Sequence, residues 1–179
     1  MKLVTPYRQT LSHSCLIACF LMLLNSRYDI NFSSKDEENL SLKGMSRKHP
    51  FFVVGMVKEI FKKYKKKINL VVNNRYFTNI LIKLIKDKKN FNVHYRKIDI
   101  ATIKALLKKN ALICHIDNNH LGDYSHSSHF IVLEKDSGKR VTIIDPLAGK
   151  RRLISYKKLE ESIKSLRGHV KMCPLLFYL

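Results

Sequence analysis

The chain has 179 residues, enough for one domain with a sizeable core and too few for two of ordinary size. Apolar residues make up 45%, as in an ordinary globular protein, and no internal repeat or low-complexity tract is present, which excludes solenoid and disordered classes. Lys and Arg outnumber Asp and Glu 34 to 14, a formal net charge of +20. That charge fits either an acidic partner (nucleic acid, an anionic membrane face, an acidic peptide) or a solvated basic surface that follows from compositional bias.

Taken in chain order, residues 1–13 read as an extended lead-in containing Pro6. Ser12 or Ser14 is placed to cap a helix from Cys15 to about Asn25. That helix is apolar on nearly all sides and therefore belongs in the core. Its apolar run of about 11 residues is too short to cross a bilayer, and no small-residue cleavage site follows. With no signal peptide or membrane span, the expected location is the cytoplasm, with export as an effector left open. Residues 26–50 are polar and loop-like, with a short helix start at Ser33–Glu38 and breaks at Gly44 and Pro50. An amphipathic helix over 51–67 ends in the basic run Lys62–Lys67, where lysines suit the helix C-terminus.

Asn69–Val72 reads as a short strand, Phe77–Lys86 as a helix, Asn92–Ile98 as a weak strand and Ile100–Lys109 as a helix. Ala111–Ile116 is a strand and Asn118–Ser128 a polar loop. Phe130–Glu134 and Arg140–Asp145 form a hairpin through a Gly-containing turn, and Arg151–Ile154 adds a third antiparallel strand. A helix over Tyr156–Leu166 and a strand over Pro174–Leu179 close the chain. Helices first and an antiparallel sheet after define an α+β arrangement.

Four residues carry the chemistry. Cys15 opens the apolar helix, His129 opens the run His129-Phe130-Ile131-Val132-Leu133, and Asp145 closes Val141-Thr142-Ile143-Ile144-Asp145 ahead of Pro146. A thiol attacks only as thiolate, and both a helix N-terminus and an imidazolium partner favour that form. A carboxylate then holds the imidazole, and a donor must meet the charge that develops on an acyl oxygen. A Gln side chain or backbone N–H groups can supply that donor, and Gln9 lies six residues before Cys15. Of the rival histidines, His13 precedes the helix and should be exposed, His115 is a strand residue, and His126 is a loop residue. His120, Asp123, His126 and His129 together match no common metal spacing. The four cysteines show no CxxC or zinc-finger spacing and read as thiols in a reducing compartment, Cys19 and Cys173 being buried.

The segment Gln9-Thr10-Leu11-Ser12-His13-Ser14-Cys15-Leu16-Ile17-Ala18-Cys19 resembles the start of the C39 cysteine peptidases, papain-like domains that cleave leader peptides from bacteriocin precursors. The stretch His129-Phe130-Ile131-Val132-Leu133 with Ile144-Asp145-Pro146-Leu147-Ala148-Gly149 resembles the family's "H-F-x-V-L … D-P-x-x-G" segment, with about sixteen residues from His to Asp. The resemblance covers roughly residues 5–25 and 111–165. It implies the nucleophile at a helix N-terminus packed on an antiparallel sheet; the expected organisation is a single stand-alone domain over 1–179, with an enlarged helical insertion at about 30–100 that departs from the family. The resemblance further implies Cys15 as nucleophile, His129 as base, Asp145 as orienting carboxylate and Gln9 as oxyanion donor, with no cofactor or metal. The expected partners are a peptide substrate, such as a double-glycine leader, and a separate transporter. Ser14-Cys15-Leu16 departs from the family's usual Asp and Cys-Gly around the nucleophile. Two other readings stand beside this one: an acyltransferase or amide-forming enzyme on the same site, and a non-catalytic basic module for a peptide or polyanion, motivated by Lys62–Lys67 and Lys86–Lys89 but lacking a nucleic-acid signature.

Overall fold

Strands β3 (Leu112–Asp117), β4 (Ser128–Ser137) and β5 (Arg140–Asp145) are nearly continuous apolar runs because both faces of their sheet are covered. Ile113, Phe130, Val132 and Ile144 point into one apolar cluster, shared with helices α1 (Cys15–Tyr28) and α3 (Phe52–Tyr64). Their neighbours Cys114, Ile131, Leu133 and Ile143 point into a second, shared with α5 (Ile100–Leu107) and α6 (Tyr156–Gly168). The alternation of side chains across a strand therefore divides one sheet between two helical layers. The computed structural model describes residues 2–46, 51–85, 90–122 and 125–179.

The remaining elements are α2 (Ser34–Gly44), β1 (Ile68–Val72), α4 (Arg75–Leu84), β2 (Phe91–Tyr95), a 3-10 turn at Asn118–Leu121, β6 (Lys150–Ser155) and β7 (Leu175–Tyr178). The seven strands lie in the order β2-β1-β7-β3-β4-β5-β6. β1 and β2 run parallel, and every other pairing is antiparallel. The fold is thus α+β, with N-terminal helices packed on a mostly antiparallel sheet. The C-terminal strand β7 enters the sheet between β1 and β3. Residues 30–100 supply two strands of the sheet as well as helices α2, α3 and α4.

Every residue of α1 from Cys15 to Leu24 is buried, so this helix is the centre of its layer. The polar stretch read as loop holds the full helix α2. Ser33 and Asp36 form a capping box at its start, which satisfies two otherwise orphaned N–H groups. Asp36 also pairs with Lys63 of α3. Gly44 lets the two helices close, since a Cβ there would lie 2.6 Å from Met56 Cα.

Part of the basic run is used within the molecule. Lys63, Lys65 and Lys66 lie over the rings of Tyr64, Phe61 and Tyr28. Lys86–Lys89 and Pro50 fall outside the described residues, as does the last residue of the helix expected over 77–86.

Candidate active site

Antiparallel pairing puts the start of β4 and the end of β5 at the same end of the sheet, so residues sixteen apart in sequence meet there. His129 Nε2 lies 2.9 Å from Asp145 Oδ1, and both side chains are almost wholly buried. The N-terminus of α1 comes to the same end, and the Cys15 side chain lines one cleft with the His129 ring, close enough to favour its protonated form. With Nε2 given to Asp145, Nδ1 is the nitrogen left for a further partner. Thiol, imidazole and carboxylate thus gather at one end of the sheet.

Burial of the His129 ring disfavours its charge, but the hydrogen bond with Asp145 and the neighbouring Cys15 side chain more than offset this and hold its pKa up to about 9. Burial likewise works against ionised Asp145, yet His129, the Leu147 N–H and Arg152 keep its carboxyl below the usual range. Leu147 N donates to Oδ1 at 3.0 Å and Arg152 Nη2 to Oδ2 at 3.2 Å. The carboxylate is held from three sides and turns one oxygen to the imidazole. Cys15 is the first residue of α1, whose opening N–H groups have no partner within the helix and carry the positive end of its dipole.

Gln9 lies beside these groups, on a lead-in with no helix or strand of its own. The lead-in is held by tertiary hydrogen bonds. Val4 N donates to Glu134 Oε1 at 2.7 Å, and Arg151, paired with the same carboxylate, donates to Val4 O at 2.7 Å. Gln9 N donates to Pro146 O at 2.8 Å, directly after Asp145. One Gln9 Nε2–H goes to Leu11 O at 2.7 Å, which leaves the second free. Gln9, Cys15 and His129 line one cleft of about 470 Å³, with Met45, Phe52 and Met172 on its apolar side.

Ser14 takes the N-cap position, but its hydroxyl does not cap α1. It turns instead to Leu11 O and to Glu37, a better acceptor than a cap would be a donor site. Among the other histidines, His13 is exposed at the cleft rim. His115 is buried and stacked on Phe130, its nitrogens engaged by Cys173 O and Ser128 Oγ, and burial pushes its pKa down to about 3. His126 pairs with Asp117 at 2.6 Å and stacks on His169. No group of three or more metal-ligating side chains gathers among the described residues, and Asp123 lies outside them. All four cysteines are free thiols. Cys19 is buried, while Cys173 is only half-buried because it borders an apolar pocket beside the cleft.

Four residues at the site escape a reading of the sequence. Arg152 sits one strand from Asp145 and reads as an ordinary strand charge. Arg151 and Glu134 pin the lead-in through contacts more than a hundred residues apart. Glu37 is completely buried on α2. Its only trace in the sequence is its place three residues before Leu40, on the same helix face.

The fold packs N-terminal helices on a mostly antiparallel seven-stranded sheet, and a thiol and an imidazole line one cleft at its end. The model of the Peptidase C39 family matches residues 56–165, more than half of the chain, and the chain belongs to that family. The matched span holds His129 and Asp145, while Gln9 and Cys15 precede it. Among solved structures the fold is similar to that of a protein described as a candidate C39-like peptidase from Bacillus anthracis. The TM-score is 0.58 at 13% identity, over 100% of this chain and 98% of that one. No curated protein has a significantly matching sequence. No helix among the described residues is long and apolar enough to cross a membrane.

Proposed function

We propose that the chain is a cysteine peptidase that cleaves a peptide bond, as in the removal of a precursor leader of the double-glycine kind, with Cys15 as nucleophile, His129 as general base and acid, Asp145 as its orienting carboxylate and Gln9 as oxyanion donor. The observation that carries this reading is the buried His129–Asp145 hydrogen bond beside Cys15, in a cleft that Gln9 also lines. Cys15 Sγ⁻ attacks the scissile carbonyl carbon, and the C=O π pair moves to oxygen. Gln9 Nε2–H and the Cys15 N–H donate to that oxygen. On collapse the C–N bond breaks, and imidazolium His129 gives its proton to the leaving amine. Water then attacks the thioester, His129 takes its proton, and Cys15 leaves as thiolate.

The test is cleavage of an internally quenched peptide library, read by mass spectrometry, with and without an added amine. We expect hydrolysed products that vanish in Cys15→Ala while its circular dichroism is unchanged. Full activity in that variant would sink the reading. Products carrying the added amine instead of water would reassign the same site to acyl transfer.

A further inference from the structure

Glu37 has no place in the chemistry above, yet it is a completely buried carboxylate whose hydrogen bonds all come from residues 7–14. Tyr7 Oη donates to Oε2 at 2.6 Å, Thr10 N to Oε1 at 2.9 Å, Thr10 Oγ1 to Oε2 at 3.0 Å, and Ser14 Oγ to Oε1. These four donors fill the lone-pair positions of one carboxylate. Burial and the bond to Glu37 push the Tyr7 hydroxyl up from its ordinary range, so it stays a donor. Seating α2 on the core does not by itself call for a buried charge. What a carboxylate adds is direction: it gathers four donors of one segment, and that segment runs from Tyr7 through Gln9 to the residue before Cys15.

We propose that Glu37 is a positioning residue for acyl transfer, fixing the segment 7–14 so that the Gln9 amide and the Cys15 N–H meet the acyl oxygen together. The inference rests on the oxyanion reading given above and adds to it the part that sets the donors.

The link runs through a single proton. Ser14 Oγ has two acceptors in reach, Glu37 Oε1 and Leu11 O at 2.8 Å, and one hydrogen to give. Leu11 O already accepts from Gln9 Nε2 at 2.7 Å and from Ser14 N at 3.3 Å. The charged acceptor therefore holds the Ser14 proton and leaves Leu11 O to Gln9. Without the carboxylate, Ser14 turns to Leu11 O, competes for the carbonyl that anchors the Gln9 amide, and releases its orientation.

Two reactions of the same sulfur separate this role from general destabilisation. Alkylation of Cys15 by iodoacetamide builds no charged oxygen, whereas acylation by p-nitrophenyl acetate does. Both rates are followed at Cys15, the first by peptide mapping and the second by the p-nitrophenolate burst. Glu37→Gln is expected to slow acylation by about 10- to 100-fold, up to the cost of losing one oxyanion donor, and to leave alkylation within about twofold. In a Gln9→Ala background, the same change should cost no more than about threefold further, because both act through one donor. Loss of acylation and alkylation in parallel, or costs that multiply in the double variant, would overturn the proposal, as would wild-type acylation in Glu37→Gln. If Glu37→Gln does not fold, Tyr7→Phe carries the test. It strips one donor and should lower the acylation-to-alkylation ratio about threefold, and an unchanged ratio refutes the role. Cys15→Ala is the control: acylation that persists there removes the oxyanion reading itself.

Discussion

The two sides of the cleft are built by different means. His129 and Asp145 sit on β4 and β5, where a ladder of backbone hydrogen bonds fixes them and each strand is flanked by another. Gln9 sits on a lead-in without such a ladder, held by two buried acids, Glu134 and Glu37, and by the carbonyl of Pro146. A ladder spreads a position over many weak bonds, so few single substitutions displace it. A strap held by a few side chains is set by those few. The imidazole and its carboxylate should therefore tolerate changes around them, and the oxyanion side should be sensitive to changes far from the chemistry.

The largest effect is expected at His129 itself. His129→Ala should reduce peptide cleavage by about 10³- to 10⁴-fold, since proton transfer in both directions is lost. Iodoacetamide labelling of Cys15 near neutral pH should slow with it, because no imidazolium remains to pair the thiolate. Labelling at the wild-type rate would mean that the helix N-terminus alone activates the thiol.

The contrast also explains what could be read from the sequence. The meeting of Cys15, His129 and Asp145 is legible because each sits at the end of a long apolar run, and runs of this kind become core elements whose termini gather at one end of the sheet. The antiparallel strands β3 to β6 are legible for the same reason. The strap's anchors are not. Glu37 and Glu134 act by burial, and nothing local in Ser33–Glu38 or Phe130–Glu134 reveals which carboxylate is inside. Helix α2 hides because most of its face toward solvent is polar, so its pattern resembles a loop. The position of β7 between β1 and β3 joins residues 62 to 109 apart, beyond the reach of any local pattern.

A pH series probes the strand side. Folded His129 keeps its proton to about 9, while in the unfolded chain it titrates at 6.5. The folded state binds the extra proton between those values, so this contribution is complete below 6.5 and is lost as pH rises through about 9. Urea midpoints should fall across that window, and the fall should shrink in Asp145→Asn, which removes the carboxylate that holds the proton. A rise in stability over the same window would refute the ion-paired state of the ring.

Gly149→Ala probes the strap side at a distance from the chemistry. Gly149 closes the turn after Asp145 with φ +63°, and a Cβ there would lie 2.6 Å from Arg8 Cβ and 3.1 Å from Arg8 Cα. The clash falls on the neighbour of Gln9. We expect acylation by p-nitrophenyl acetate to fall about tenfold, with iodoacetamide labelling retained, as for other losses at the oxyanion. The left-handed backbone adds a penalty of about 1–2 kcal/mol, which should lower Tm by about 5 °C. Equal losses in both reactions would show that the turn serves the carboxylate more than the strap.

Arg152→Met should have the smallest effect, and its sign is informative. Arg152 Nη2 reaches Asp145 Oδ2 at 3.2 Å while Nη1 holds Leu121 O at 2.9 Å. Its side chain is 36% exposed, so water screens much of the pairing. Asp145 keeps its bonds to His129 and to Leu147 N in the variant, and the ladder keeps β5 in register. Peptide cleavage should stay within about threefold, as expected for a screened ion pair. Removing a positive charge from the far oxygen leaves more of the carboxylate's charge to the imidazolium, so the alkaline limb of the rate profile should move up in pH. A limb that moves down would mean that Arg152 works by aiming the carboxylate. In that case the strand side, too, depends on a side-chain clamp, and its difference from the strap is one of degree.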